Sequence, residues 1–79
     1  MSDELDAITR MVADMSGRDP ADITPNTRLT EDLGIKSANR MEIVARLEDE
    51  IGVQLSVSDV LRAKTIDDLV ERTRALSSG

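Results

Sequence analysis

The sequence contains no cysteine, no histidine and no aromatic residue among its 79 positions. Without cysteine, the chain has neither disulfides nor thiolate chemistry of its own. Without histidine, it lacks the commonest general base and the commonest metal ligand. Its core must be built from aliphatic side chains and four methionines, a composition that disfavours a β-rich fold. We therefore expect a helical protein that is not an enzyme and has no metal site.

Further absences bear on location and partners. No apolar run approaches the roughly 18–20 residues of a membrane span, and the acidic N terminus lacks the charged start and apolar stretch of a signal peptide. The net charge of −6 disfavours contact with phosphate backbones. We expect a cytoplasmic monomer with no membrane or nucleic-acid partner.

Helical periodicity is the main signal that is present. A first helix should begin with Asp3 as its cap and stop at Gly17. Residues 18–36 contain both prolines and form a long loop. Four apolar residues should anchor this loop on the core: Ile23, Leu29, Leu33 and Ile35.

Three further helices follow the loop. The strongest periodicity predicts a helix over 38–51, ended by Gly52. Its predicted inward stripe contains Met41, Val44, Leu47 and Ile51, widened by Ile43 and Ala45. Capping patterns at 56–59 and 65–68 predict a short helix and a final helix. In the final helix, the residues expected to face inward are Ile66, Leu69, Val70, Thr73 and Leu76.

These elements predict an all-α fold, a small four-helix bundle of three main helices and one short helix. The long first loop joins the first two helices. Residues 1–76 should form a single domain, and residues 77–79 a flexible, frayed tail.

Ser37 stands where the long loop meets the second helix. A nucleophilic serine needs a base within reach, but histidine is absent and the neighbouring Lys36 has a diverging side chain. Serine is a favoured cap residue, so Ser37 could simply cap the helix. Alternatively, a phosphate esterified to Ser37 would be stabilised by the helix dipole, unpaired backbone N–H groups and Lys36.

The run from Leu33 to Gly52 resembles the signature of the acyl carrier protein family. That signature has a Leu-Gly pair, an Asp-Ser-Leu core and a helix of the type Val-Glu-Leu-Val…Leu-Glu-Glu-Glu-Phe-Gly. The resemblance extends over nearly the whole chain, including its length, its acidic balance, the long first loop and the segment 64–69.

The resemblance implies that Ser37 receives 4′-phosphopantetheine from a transferase that uses coenzyme A and magnesium. The thiol of this arm would carry acyl intermediates as thioesters in a fatty-acid, polyketide or related specialised pathway. The cofactor would supply the reactive sulfur that the chain lacks, and acyl-loading and acyl-processing partner enzymes would supply the catalysis.

The resemblance also assigns two surfaces. The second helix would dock on partner enzymes, and an acyl chain could slide between it and the short third helix. The docking candidates are Lys36, Ala38, Arg40, Met41, Glu42 and Glu48, with Asp49 and Glu50 as weaker candidates. The acyl-pocket candidates are most simply core residues, but periodicity does not distinguish an ordinary core from one that can open: Met41, Val44, Leu47, Val60, Leu61 and Ile66.

Three positions around the serine depart from the family pattern. Lys36 replaces the usual aspartate, Ala38 replaces the usual leucine, and Asn39 stands where an acidic residue is common. Together with Arg40 and Arg46, they make the second helix nearly neutral. These departures favour a specialised carrier over a housekeeping one. They also support an alternative, a carrier-fold interaction module that is never modified.

Overall fold

Four α-helices account for most of residues 3–77, the part of the chain that the computed structural model describes. The helices are α1 (Asp3–Ser16), α2 (Ser37–Ile51), α3 (Val57–Arg62) and α4 (Ile66–Ser77). Helix α1 packs against α4 and α2, and α2 packs against α3. In this part of the chain, Arg28 and Thr65 form an isolated antiparallel β-bridge. The predicted all-α bundle with three main helices, one short helix and a long first loop is confirmed.

The core is aliphatic and draws on every α-helix and on the first loop. Burial of one such side chain contributes roughly 1.5–3 kcal/mol. Its fully buried members include Ile8 and Val12 of α1, Leu29 of the loop, Ile43 and Leu47 of α2, Val60 of α3, and Ile66 and Leu69 of α4. No described helix is long and apolar enough to cross a membrane.

The helix ends follow the local signals in the sequence. The Ser56 hydroxyl accepts a hydrogen bond from the Asp59 N–H at 3.0 Å and caps α3. Gly52 ends α2 in the left-handed conformation with φ 77°, which glycine adopts without a Cβ penalty. At α4, the Asp68 N–H donates to the Thr65 hydroxyl at 3.2 Å. The Asp68 carboxylate in turn accepts from the N–H groups of Lys64 and Thr65 at 2.8 and 3.2 Å.

The first loop is anchored as predicted, because all four of its expected apolar anchors are buried. Backbone hydrogen bonds also join it to the start of α4. Leu29 N–H donates to the Lys64 carbonyl at 2.9 Å, and Ile66 N–H donates to the Thr27 carbonyl at 3.1 Å. A 3₁₀ turn at Pro20–Asp22 was not predicted. The side chain of Asp19 caps it by accepting from Ala21 N–H at 2.9 Å.

The predicted start of the second helix and the predicted cap are wrong by one residue. Helix α2 begins at Ser37, and its N-cap is Lys36, which makes no side-chain cap hydrogen bond. Ser37 therefore does not cap the helix. It is the first helical residue.

The inward face of α2 also differs from the predicted stripe. Met41 is 52% exposed and Ala45 is exposed, whereas Arg40 is only 8% exposed. The buried residues are Arg40, Ile43 and Leu47, because the helix turns this face toward α3 and the core. Ile51 and Val44 are partly buried against the core.

The C-terminal predictions need two corrections. Leu76, expected to face inward, is 52% exposed, because Thr73 is the last buried residue of α4. Ser77, expected in a frayed tail, is the last residue of α4, and the rest of the predicted tail lies outside the described residues. The capping side chain predicted at Asp3 is likewise outside the described side chains.

We expect Asp68→Ala to lower the unfolding free energy by about 1–2 kcal/mol at neutral pH, because it removes the acceptor of the α4 capping box. Hydrogen bonds from the Lys64 and Thr65 N–H groups hold the pKa of Asp68 below its ordinary value of 3.8. The stabilisation is therefore present above pH 3.8 and is lost as the pH falls through the folded-state pKa.

Urea unfolding of the wild type and the variant at several pH values measures this difference. The matched control is Asp67→Ala, which removes the exposed neighbouring carboxylate. An equal loss in both variants, or a difference that does not shrink in acid, would contradict the assignment to Asp68.

Candidate functional site

Ser37 is exposed at the first position of α2, directly after the exposed Lys36. An α-helix leaves its first N–H groups without intrahelical acceptors and carries a partial positive charge at this end. The Lys36 carbonyl accepts from Asn39 N–H at 2.9 Å and from Arg40 N–H at 3.2 Å, which closes the first turn. A phosphate ester on the Ser37 hydroxyl fits this environment, since a helix end and an ammonium group both stabilise an anion.

The loop that leads to Ser37 is held by its own hydrogen bonds. Gly34 has φ 70°, a conformation that side chains disfavour, and its N–H donates to the Thr30 carbonyl at 2.9 Å. Ile35 N–H donates to the Leu29 carbonyl at 2.9 Å. The Thr30 hydroxyl donates to the Ile35 carbonyl at 2.8 Å. The backbone is therefore ordered up to two residues before Ser37.

An exposed ion pair closes the same turn. Arg28 donates from Nη2 to Asp32 Oδ1 at 3.0 Å and from its backbone N–H to Asp32 Oδ2 at 2.8 Å. The side-chain hydrogen bond from Arg28 is the largest cause that lowers the pKa of Asp32 below its ordinary value, followed by the backbone hydrogen bond. Exposed pairs of this kind contribute little to stability, so its main effect is to shape the turn.

Arg40 occupies a different environment from the one we predicted. Its Nη1 donates to the carbonyl oxygens of Val60 at 3.0 Å, Leu61 at 3.2 Å and Ala63 at the end of α3. Its Nη2 donates to the Thr30 hydroxyl at 2.9 Å. The guanidinium is thus buried and engaged inside the molecule, which contradicts a docking role at the surface.

The other docking candidates lie at the surface. The exposed ones are Lys36, Ala38, Met41, Glu42 and Glu48, and the weaker candidates Asp49 and Glu50 are exposed as well. Glu42 lies 3.8 Å from Arg46, which also pairs with Asp14 and Glu50 at 3.0 Å each. Part of the acidity of α2 is therefore neutralised within the molecule, and a docking role for the exposed residues remains a prediction.

The six acyl-pocket candidates differ in their exposure. Leu47, Val60 and Ile66 are fully buried in the core. Met41 and Leu61, by contrast, are 52% and 46% exposed, and Val44 is partly buried. A surface groove lies elsewhere, between α1 and the first loop, and its lining includes Leu5, Thr9, Pro20, Ile23 and Pro25.

Sequence reasoning missed the internal roles of Arg40 and Thr30. One signal for Arg40 was available, since positions 40, 43 and 47 share one helical face and the latter two hold Ile and Leu. A charged residue on that face indicates a buried polar partner. Nothing local marked Thr30, because its hydroxyl bonds to residues five and ten positions away.

Together, the helical bundle and the exposed serine define a class: a small helical domain that presents a hydroxyl at an anion-stabilising helix end. The family model described as "phosphopantetheine attachment site" matches residues 6–73, and the chain belongs to this family. The cofactor of the family is covalently attached 4′-phosphopantetheine, and its domains are typically non-catalytic carriers. The expected family and cofactor are confirmed.

We expect Thr30→Val to lower the unfolding free energy by about 1–2 kcal/mol, because it removes the hydroxyl between Arg40 and the Ile35 carbonyl without changing side-chain size. Amide hydrogen exchange at Gly34 and Ile35 should accelerate, since this hydroxyl holds the turn. Urea unfolding and exchange measurements check both effects.

Thr24→Val is the matched control, since the exposed Thr24 hydroxyl contacts the Thr27 hydroxyl at 3.3 Å. Equal behaviour of the two variants would show that the Thr30 hydroxyl does not stabilise the turn.

Proposed function

We propose that Ser37 is the attachment point of the phosphopantetheine arm. The observation that carries this proposal is the exposed Ser37 hydroxyl at the first position of α2, within the range that matches the family. The first backbone N–H groups of the helix would stabilise the phosphodiester, and the ordered loop before the serine would keep the site in a constant position. Lys36 adds a cation beside it.

The attached arm supplies a thiol that carries acyl groups as thioesters. The chain presents the arm, and transferases, acyl-loading enzymes and acyl-processing enzymes supply the catalysis. This division of labour agrees with a sequence that has no histidine and no cysteine. The pathway is a fatty-acid, polyketide or related specialised biosynthesis.

The protein is a specialised carrier that is loaded by dedicated partners. Lys36 reverses the charge beside the serine, and Ala38 offers a smaller contact than leucine. Both side chains are exposed, so a docking enzyme would contact them directly. Complementary charge at such a surface mostly changes the association rate and the choice of partner.

We expect the purified protein to gain the mass of one phosphopantetheine group when it is incubated with coenzyme A, magnesium and a broad-specificity transferase. Ser37→Ala should abolish the gain, because it removes the hydroxyl that forms the ester. Mass spectrometry of the intact protein measures both.

The control is Ser58→Ala, which removes an exposed hydroxyl in α3 and should leave the gain unchanged. Failure of the folded wild type with several transferases, including one from the source organism, would instead favour the unmodified interaction module.

We expect Lys36→Asp to accelerate modification by a general-purpose transferase several-fold, because it restores the acidic residue of the family pattern. Aspartate is also a good N-cap, and Lys36 provides no side-chain cap, so the variant should be more stable as well. Initial rates of mass gain measure the effect.

Lys36→Asn separates the two contributions, since asparagine caps a helix about as well as aspartate but carries no charge. An unchanged rate in Lys36→Asp, or an equal gain with Lys36→Asn, would contradict a role for the charge in transferase recognition.

A further inference from the structure

Along α2, the buried Arg40 comes between the exposed Ser37 and the buried apolar residues Ile43 and Leu47. Arg40 is three residues after Ser37, which places the two on neighbouring positions of the helix surface, one turn apart. Beyond Arg40 on the same face are Ile43 and Leu47, both fully buried. A group attached at Ser37 that entered between α2 and α3 would therefore meet the guanidinium before the apolar side chains.

The Arg40 guanidinium makes hydrogen bonds across the contact between α2 and α3. It donates to three carbonyl oxygens of residues 60–63 and to the Thr30 hydroxyl. The three carbonyls lie at the C-terminal end of α3, where only the Val60 carbonyl is also seen to accept a backbone hydrogen bond, from Ala63 N–H at 3.3 Å. To separate α2 from α3 here, an entering chain would have to break these bonds.

An aliphatic chain offers no replacement for the bonds it would break. Arginine stays protonated in proteins and needs acceptors for its N–H groups. A methylene chain accepts no hydrogen bonds, so its entry would leave a charged group unpaired in a desolvated site, which is strongly unfavourable. The α2–α3 interior therefore disfavours the kind of cargo that its aliphatic lining would otherwise suit.

We propose that Arg40 is a specificity-determining residue that excludes long aliphatic groups from the α2–α3 interior, so that cargo on Ser37 stays in solvent. Short or polar acyl groups suit such a carrier, because they lose little by remaining hydrated. This inference rests on the proposed attachment at Ser37 and deepens it by naming a class of cargo.

The test compares the wild type loaded at Ser37 with an acetyl-bearing or an octanoyl-bearing arm, each transferred from the corresponding acyl-coenzyme A. The two forms should melt within about 1 °C of each other, because neither chain is buried. Their thioesters should also be cleaved by hydroxylamine at similar rates. A markedly higher melting temperature or a protected thioester in the octanoyl form of the wild type would overturn the proposal.

Arg40→Met keeps an unbranched side chain but removes the charge and the donors. In this variant the octanoyl form should melt at least about 4 °C above the acetyl form, and its thioester should be cleaved several-fold more slowly. Arg46→Met is the matched control, since Arg46 is on the same helix and pairs with surface carboxylates. It should behave as the wild type does.

A folded Arg40→Met variant that shows no octanoyl effect would overturn the role of Arg40. If Arg40→Met does not fold, Arg40→Gln takes its place, since it is neutral yet retains a donor. In Arg40→Gln, the octanoyl form should also melt above the acetyl form, by a smaller margin. If the folded Arg40→Gln variant shows no such difference, the proposed role of Arg40 is overturned.

A second route tests the exclusion without any transferase. The chain has no cysteine, so Ser37→Cys creates a single thiol that can be alkylated through a long linker bearing either an octyl or a methyl group. With Arg40 present, the octyl and methyl forms should have equal melting temperatures. In the Arg40→Met background, the octyl form should melt at a higher temperature than the methyl form. Any other pattern would overturn the inference. If no transferase modifies Ser37, that result counts against the proposed function alone, because alkylation of the Ser37→Cys thiol needs no enzyme.

Discussion

The hydrogen bonds of the Arg40 guanidinium join α2 to α3 and to the first loop. Helix α3 has six residues, too few to be stable without tertiary contacts. Arg40 binds the end of this helix to α2 and, through Thr30, to the turn before the serine. Thr30 then donates to the Ile35 carbonyl, so the hydrogen bonds of one side chain link the end of α3 to this turn. A single buried charge thus connects the packing of the bundle to the turn that precedes Ser37.

The candidate site at Ser37 lies on the surface. Ser37 is exposed at the first position of α2, and a helix N terminus is suited to stabilising an anion. The chemistry of the family resides in the phosphopantetheine arm. Further along the same helix, Arg46 of α2 pairs with Asp14 of α1 and with Glu50 of α2.

Features encoded within a few residues could be predicted from the sequence. The caps at Ser56 and at Thr65 with Asp68 were predicted, because each joins groups at most four positions apart. The family was likewise recognisable from a contiguous run around Ser37. The wrong predictions concern positions where a shift of one residue along the helix changes which side chain is buried. Periodicity placed Met41 inside, yet the structure buries its neighbour Arg40 and exposes Met41, since adjacent helical residues point about 100° apart.

The sequence by itself determined the helical class, the anchored first loop, the caps of α3 and α4 and the glycine that ends α2, because local propensity, periodicity and capping specify these features. Only the tertiary structure decided that Lys36 rather than Ser37 is the N-cap and that Arg40 points inward. The acceptors that make burial of Arg40 possible belong to residues 60–63, some twenty positions away in the chain. A buried charge depends on partners that only the folded chain brings together, and no local pattern contains them.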